Sequence, residues 1–212
     1  MSIPVLSRSA AKQVSFFERD WREFSSGFEI WQAGGLGKPA PVVHRGWPIE
    51  MATVAHYGAF VLMAQNYREE ERLAIKRAGA SLKQFLGCAG AADSADLSQP
   101  FQRAAGVVLE TTGLFYAPET QGVDELIVDH NFLLWDRDTL ELVIFGLRDL
   151  GSELAQPNQI QVVDATVRHV LAKARPRIRL ERPGVLETEL ITWLPEAFWW
   201  RKPNDNPEVP TT

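Results

Sequence analysis

The stretch 123–147, VDELIVDHNFLLWDRDTLELVIFGL, places the tightest limit on what this chain can fold into. Two runs rich in apolar and β-branched residues flank Asp136-Arg137-Asp138-Thr139, a short polar break of the kind that closes a hairpin. In the first run Leu126, Val128, His130, Phe132 and Leu134 share one face of a strand. Ile127, Asp129, Asn131, Leu133 and Trp135 share the other. In the second run Leu140, Leu142 and Ile144 alternate with Glu141, Val143, Phe145 and Leu147. Away from the polar break both faces turn apolar, which implies cover on both sides of a sheet. The pairing register stays open, because a slip of one residue exchanges the faces.

The flanking segments complete an α+β reading: an antiparallel sheet with the central hairpin 123–147, packed by helices from the N-terminal half and from 158–174. Ser9–Phe24 carries Val14, Phe17, Trp21 and Phe24 at helical spacing, a stripe suited to docking on a core. Ser25-Ser26-Gly27 ends that helix. Phe28–Pro48, rich in Gly and Pro, reads as a long loop. Ile49–Tyr67 is apolar nearly all round, so it reads as a buried helix, with Gly58 among Ala52, Ala55 and Ala59 offering a surface for close packing. Glu69–Leu86 reads as a surface helix with acids at its N-terminal end, and Ala91–Pro100 as a loop. From Gly106 the period changes to strand through Pro118. Asn158 caps a helix over 158–174 that Pro176 ends. Residues 177–182 and 185–194 then form a second hairpin around Pro183-Gly184. The whole, 1–212, reads as a single domain with an extended tail over about 195–212.

Bulk properties remove several function classes. A hydrophobic share of 45% with 23% charged residues is that of an ordinary globular protein. The net charge of −5 disfavours nucleic acid as a partner. Cys88 is the one cysteine, so neither an intrachain disulfide nor a cysteine zinc site can form, and no basic neighbour activates it as a nucleophile. His44, His56, His130 and His169 show no metal-ligand spacing. Neither a metal nor a cofactor is expected. No apolar run is long enough to span a bilayer and the N-terminus lacks the pattern of a signal peptide. The expected location is the cytoplasm, or a virion if the chain is phage-encoded.

Gly34-Gly35-Leu36-Gly37-Lys38 fails as a phosphate loop, because Gln32 stands where the first glycine should be and Pro39 where Ser or Thr should follow the lysine. His130, between Asp129 and Asn131, reads as a half-buried structural histidine with a backbone or carboxylate partner. Two clusters are candidates for binding another protein. Arg175, Arg177 and Arg179 would share one face of a strand and form a guanidinium ridge. Phe198, Trp199, Trp200 and Arg201 leave the last strand, where large aromatics and arginine must fold back on the core or anchor in a partner.

These features point to a non-catalytic protein-binding subunit. One form is a structural or adaptor component of a bacterial or phage multi-protein assembly, with other subunits or copies of itself as partners. A second is an immunity or inhibitor protein that neutralises a toxin or enzyme. A third reading is enzymatic. His44-Arg45-Gly46 and Glu187-Thr188-Glu189 faintly resemble the Arg and Glu-x-Glu elements of ADP-ribosyltransferases, which implies a transferase using Arg45 and Glu189. The Ser-Thr-Ser element of that family is absent, with only Thr111-Thr112 between.

Overall fold

Val123–Asp149 is one continuous α-helix of 27 residues, with no turn at Asp136–Thr139. The computed structural model describes residues 1–34, 41–87, 96–152 and 156–202. Eight α-helices are found among them: α1 (Ala10–Ser15), α2 (Phe17–Gly34), α3 (Ile49–Met63), α4 (Glu69–Gly87), α5 (Ser98–Thr112), α6 (Val123–Asp149), α7 (Pro157–Glu181) and α8 (Val185–Glu189). Short 3-10 turns cover His44–Gly46, Ala64–Asn66 and Glu196–Arg201. The only β pairing among the described residues is an isolated bridge between Val42 and Pro48. The expected α+β architecture, with its antiparallel sheet and central hairpin, is therefore replaced by a helical bundle.

The reason lies in the spacing of the buried side chains. Leu126, His130, Leu133, Arg137, Leu140, Ile144 and Leu147 are all buried and recur in alternating steps of four and three, the period of one helix face. Strand alternation explains the same residues only if Arg137 sits in a solvated turn, and it is buried. The polar break also contains no Gly, Pro or Asn, so it lacks the residues that a two-residue hairpin turn needs.

The helices α3 and α6 form the central pair. They touch through glycine on both sides. A Cβ on Gly58 would lie 1.9 Å from the Leu142 carbonyl oxygen, and one on Gly146 would lie 2.6 Å from that of Val54. Backbones this close leave no room for a side chain. The close packing expected at Gly58 is thus found, against a helix. α3 is buried nearly all round, as its sequence implies. α2 and α4 pack on it, while α5 and α7 pack on α6 and on each other. The α2 stripe meets α3 through its aromatics, with Phe17 and Phe60 centroids 5.4 Å apart and Trp21 and Phe60 5.6 Å apart. The buried apolar residues form one cluster reaching from Ile3 to Trp200.

Other segments also differ from expectation. α2 runs through Ser25-Ser26-Gly27 as far as Gly34, and Gly27 makes room for Met1 and Thr53 rather than ending the helix. Gly106–Thr112 is helical, because Phe101, Ala104, Ala105, Val108 and Thr111 line the buried face of α5. Gln156, not Asn158, stands at the N-cap position of α7 without a side-chain capping bond, and Pro157 lies in the first turn. α7 then passes Pro176 and continues to Glu181, where a strand was expected. Proline costs one intrahelical hydrogen bond, but burial of Ala174 and Ile178 on either side holds the helix. The second hairpin is absent: Gly184, at φ 87°, turns the chain from α7 into α8. Gly35–Lys38 of the phosphate-loop-like segment, Cys88 and 203–212 of the tail lie outside the described residues.

Candidate functional site

The centre of α6 carries Asp136, Arg137 and Asp138, all buried. Successive helical residues are about 100° apart, so three neighbours address three sides of the helix. Asp136 meets the segment before α3. Arg45 donates to it through Nε at 3.1 Å and Nη2 at 2.5 Å, Trp47 Nε1 donates at 3.0 Å, and Thr111 Oγ1 of α5 donates at 2.7 Å. Asp138 meets the C-terminal segment. Arg201 donates through Nε at 3.0 Å and Nη2 at 2.5 Å, and Trp200 Nε1 at 2.8 Å. Arg137 turns to Asp164 of α7 at 2.9 Å and to Glu141, one turn along α6, at 2.9 Å, and its guanidinium lies 3.9 Å from the Trp200 ring centre. Burial raises the Glu141 carboxyl above its ordinary range, and Arg137 opposes that shift.

Each aspartate thus receives a two-pronged arginine and an indole N–H, so its oxygens are satisfied away from water. Arg45 sits at φ 63°, a left-handed conformation that costs a non-glycine residue roughly 1–2 kcal/mol. Its bonds to Asp136 and its stacking 4.0 Å over the Phe132 ring offset that cost. These groups hold the fold by tying α6 to the segments on either side of it.

A cleft of about 430 Å³ opens where α7 turns into α8. His130 lies beneath it, Arg175, Arg179 and Lys202 bring positive charge, Glu187 brings negative charge, and Leu186 and Leu190 supply apolar wall. His130 is held neutral, its pKa lowered to about 3 by burial first and then by the nearby Arg175 and Arg201 charges. Its ring partner is the Arg175 guanidinium at 3.4 Å, not the expected backbone or carboxylate, and the ring is fully buried. Arg175 also donates to the Trp200 carbonyl. Lys202 donates to the Leu194 carbonyl at 2.5 Å.

The two predicted binding clusters converge here, in altered form. On a helix Arg175 and Arg179 are four residues apart and share a face, while Arg177 points elsewhere. Accordingly Arg175 and Arg179 line the cleft, and Arg177 binds the Pro118 carbonyl at 2.5 Å and Glu181 at 2.6 Å. A three-arginine ridge therefore does not form. Phe198, Trp200 and Arg201 fold back into the chain's own core, and Trp199 is half-buried beneath the Arg168 guanidinium, 4.5 Å from its ring centre. The pair implied by the transferase resemblance is not assembled. Arg45 is tied to Asp136, whereas Glu189 pairs with Arg201 at 3.6 Å on the Asp138 side. Thr111, the poor substitute for the missing element, is a ligand of Asp136.

Sequence reasoning missed Asp136, Asp138, Trp47 and Lys202. A usable signal existed: Arg and Trp stand two residues apart at 45 and 47 and adjacent at 200 and 201, one set for each aspartate of an Asp-x-Asp pair. No grouping of His, Cys, Asp or Glu suited to a metal ion occurs among the described residues, and no helix there is long and apolar enough to cross a membrane. Comparison of the chain with protein-family models, with curated proteins and with solved structures finds no match.

Proposed function

We propose that the protein works by binding another protein, as a structural or adaptor subunit of a multi-protein assembly, and that it docks through the end of the bundle where α7 meets α8. The observation that carries this reading is a pair of large apolar side chains left in water at that end. Tyr116 is 95% exposed and Leu180 83% exposed. Contacts that gather the loop before α6 onto the end of α7 bring the two segments together: Arg177 to the Pro118 carbonyl, and Arg182 to Asp124 at 3.1 Å. Exposed aromatic and aliphatic anchors beside arginine are the composition of protein interfaces rather than of ordinary surface. The adjacent cleft is lined by Arg175, Arg179, Lys202 and Glu187, with Leu186 and Leu190 as its apolar wall. The tail aromatics, buried at home, are removed from the interface and act as its support.

The test is size-exclusion chromatography with light scattering, on the pure protein and on material isolated from native lysate. The expected result is a defined complex. Leu180→Glu and Tyr116→Ser, both at exposed positions, should release the partner while leaving the thermal midpoint unchanged. A monomer that carries nothing, or a complex indifferent to both substitutions, removes the reading.

A further inference from the structure

On another part of the molecule, a second cleft of about 410 Å³ lies between α3, α4 and the C-terminal end of α6. Its walls are apolar, formed by Val61, Ala64, Ile75 and Ala80. Tyr57 lies at its floor because Gly79 lets the ring through: a Cβ at Gly79 would lie 2.2 Å from the Tyr57 hydroxyl oxygen. That hydroxyl donates to Asp149 at 2.5 Å, and burial with this neighbouring charge pushes the phenol pKa upward, so it remains protonated.

The rim is basic. Arg72, Lys76 and Lys83 all stand exposed on the α4 side of the cleft, spread over roughly 16 Å of helix. None of the three side chains has a hydrogen bond or ion pair among the described residues. Asp149 is the acid on the lining, and its carboxylate is occupied by Tyr57. The arginines that brace α6, by contrast, are matched to carboxylates: Arg45 to Asp136, Arg137 to Glu141 and Asp164, and Arg201 to Asp138 and Glu189. Three cations around an apolar trough thus have no carboxylate at ion-pair distance among the described residues.

We propose that this cleft binds a small single-chain amphiphilic anion, a free carboxylate with an alkyl tail. The tail lies on Val61, Ala64 and Ile75, and the carboxylate pairs with the cations of α4. Two observations favour a small molecule over a partner helix. The volume falls within the range of small-molecule sites, about 300–1,000 Å³. Ile75 is already buried, so the trough offers a narrow apolar floor rather than a broad face. This inference does not depend on the protein-binding reading, because it concerns other helices and another ligand.

Titration calorimetry of the whole protein with sodium decanoate, kept below its micelle concentration, provides the test, with decanol as the neutral match. Decanoate should bind better than decanol, and its affinity should fall as salt rises. The paired change Lys76→Glu and Lys83→Glu, at exposed positions, should weaken decanoate roughly tenfold or more while decanol is unaffected. Ala80→Trp, which fills the trough, should abolish binding of both; unchanged circular dichroism and melting would show that these variants fold. Equal affinity for decanol and decanoate, or indifference to charge reversal, overturns the proposal in favour of unspecific apolar binding. Absence of decanoate binding overturns it outright. Binding confined to phosphatidylglycerol vesicles or to an acidic peptide also overturns it, and assigns the patch to a membrane surface or a protein.

Discussion

Asp138 is among the most deeply buried acids of the chain, and its ligands Trp200 and Arg201 are equally removed from water. Removing the carboxylate leaves a buried guanidinium without a counter-charge, which costs about 3–5 kcal/mol. Asp138→Ala should therefore destabilise by that amount in urea unfolding. The joint replacement Asp138→Leu with Arg201→Met should cost less than the sum of the two single changes, because the orphaned charge is gone. Additive costs would show that the pair is not coupled. His56 offers a pH test at the same scale. It is buried on α3 beside the Ser2 carbonyl at 3.1 Å, and burial lowers its pKa to about 4. The unfolded chain takes up its proton near 6.5, so between pH 6.5 and 4 the unfolded state binds more protons and stability is lost as the pH drops. At about 1.4 kcal/mol per pKa unit, His56 should cost about 2–3 kcal/mol between pH 7.5 and 4.5. Burial raises Asp20, Glu50 and Glu141, whose effect has the opposite sign. Comparison with His56→Gln cancels those carboxylates: the gap between variant and parent should shift by that amount over the window, and a constant gap rules the assignment out.

At the scale of elements, the crossing of α3 and α6 determines what the bundle tolerates. Overpacking a tight core costs about 1–3 kcal/mol, and Gly58→Ala drives a methyl into backbone that cannot yield as a side chain can. It should lose at least about 3 kcal/mol or prevent folding. Gly106, within α5, has open space where a Cβ would be, so Gly106→Ala should stabilise by about 0.5–1 kcal/mol. Equal effects at the two glycines in thermal melts would contradict the crossing. Legibility differs among elements for a physical reason. α3 and α4 are readable because burial or exposure of a whole helix is written in its own residues. α6 is not, because Asp136, Arg137 and Asp138 look like a solvated turn unless their partners are known. Those partners stand 91, 27 and 63 residues away, at Arg45, Asp164 and Arg201. Arg175–Glu181 fails for a related reason, since Pro176 is a local stop signal that long-range burial of Ala174 and Ile178 overrides.

Across the whole molecule, two segments distant in the chain, 45–47 and 200–201, are fastened to the middle of one helix. The segment before α3 closes on Asp136 and the segment after α8 closes on Asp138. A chain ending at Leu194 lacks Phe198, Trp200 and Arg201, and so leaves a hollow core and a buried acid without a partner. It should lose cooperative unfolding by calorimetry, and a sharp native-like transition would show that the C-terminal segment is an appendage. The same fastening explains the move of the candidate interface. Aromatics that a flat reading places outside are buried inside, and the proposed contact surface moves to Tyr116 and Leu180, which stay exposed.

By itself the sequence determined the buried helix expected over 49–67 and found at Ile49–Met63, the amphipathic surfaces of α2 and α4 and the inward stripe of aromatics, since each depends on the composition and period of one segment. Tertiary structure alone decided that 123–147 is a helix, that two of three arginines share a cleft, and that Phe198, Trp200 and Arg201 are core. The physical reason is the same in each case. A charged or amphipathic side chain has two acceptable environments, water or a matched partner, and its own neighbours in sequence do not say which one the fold supplies.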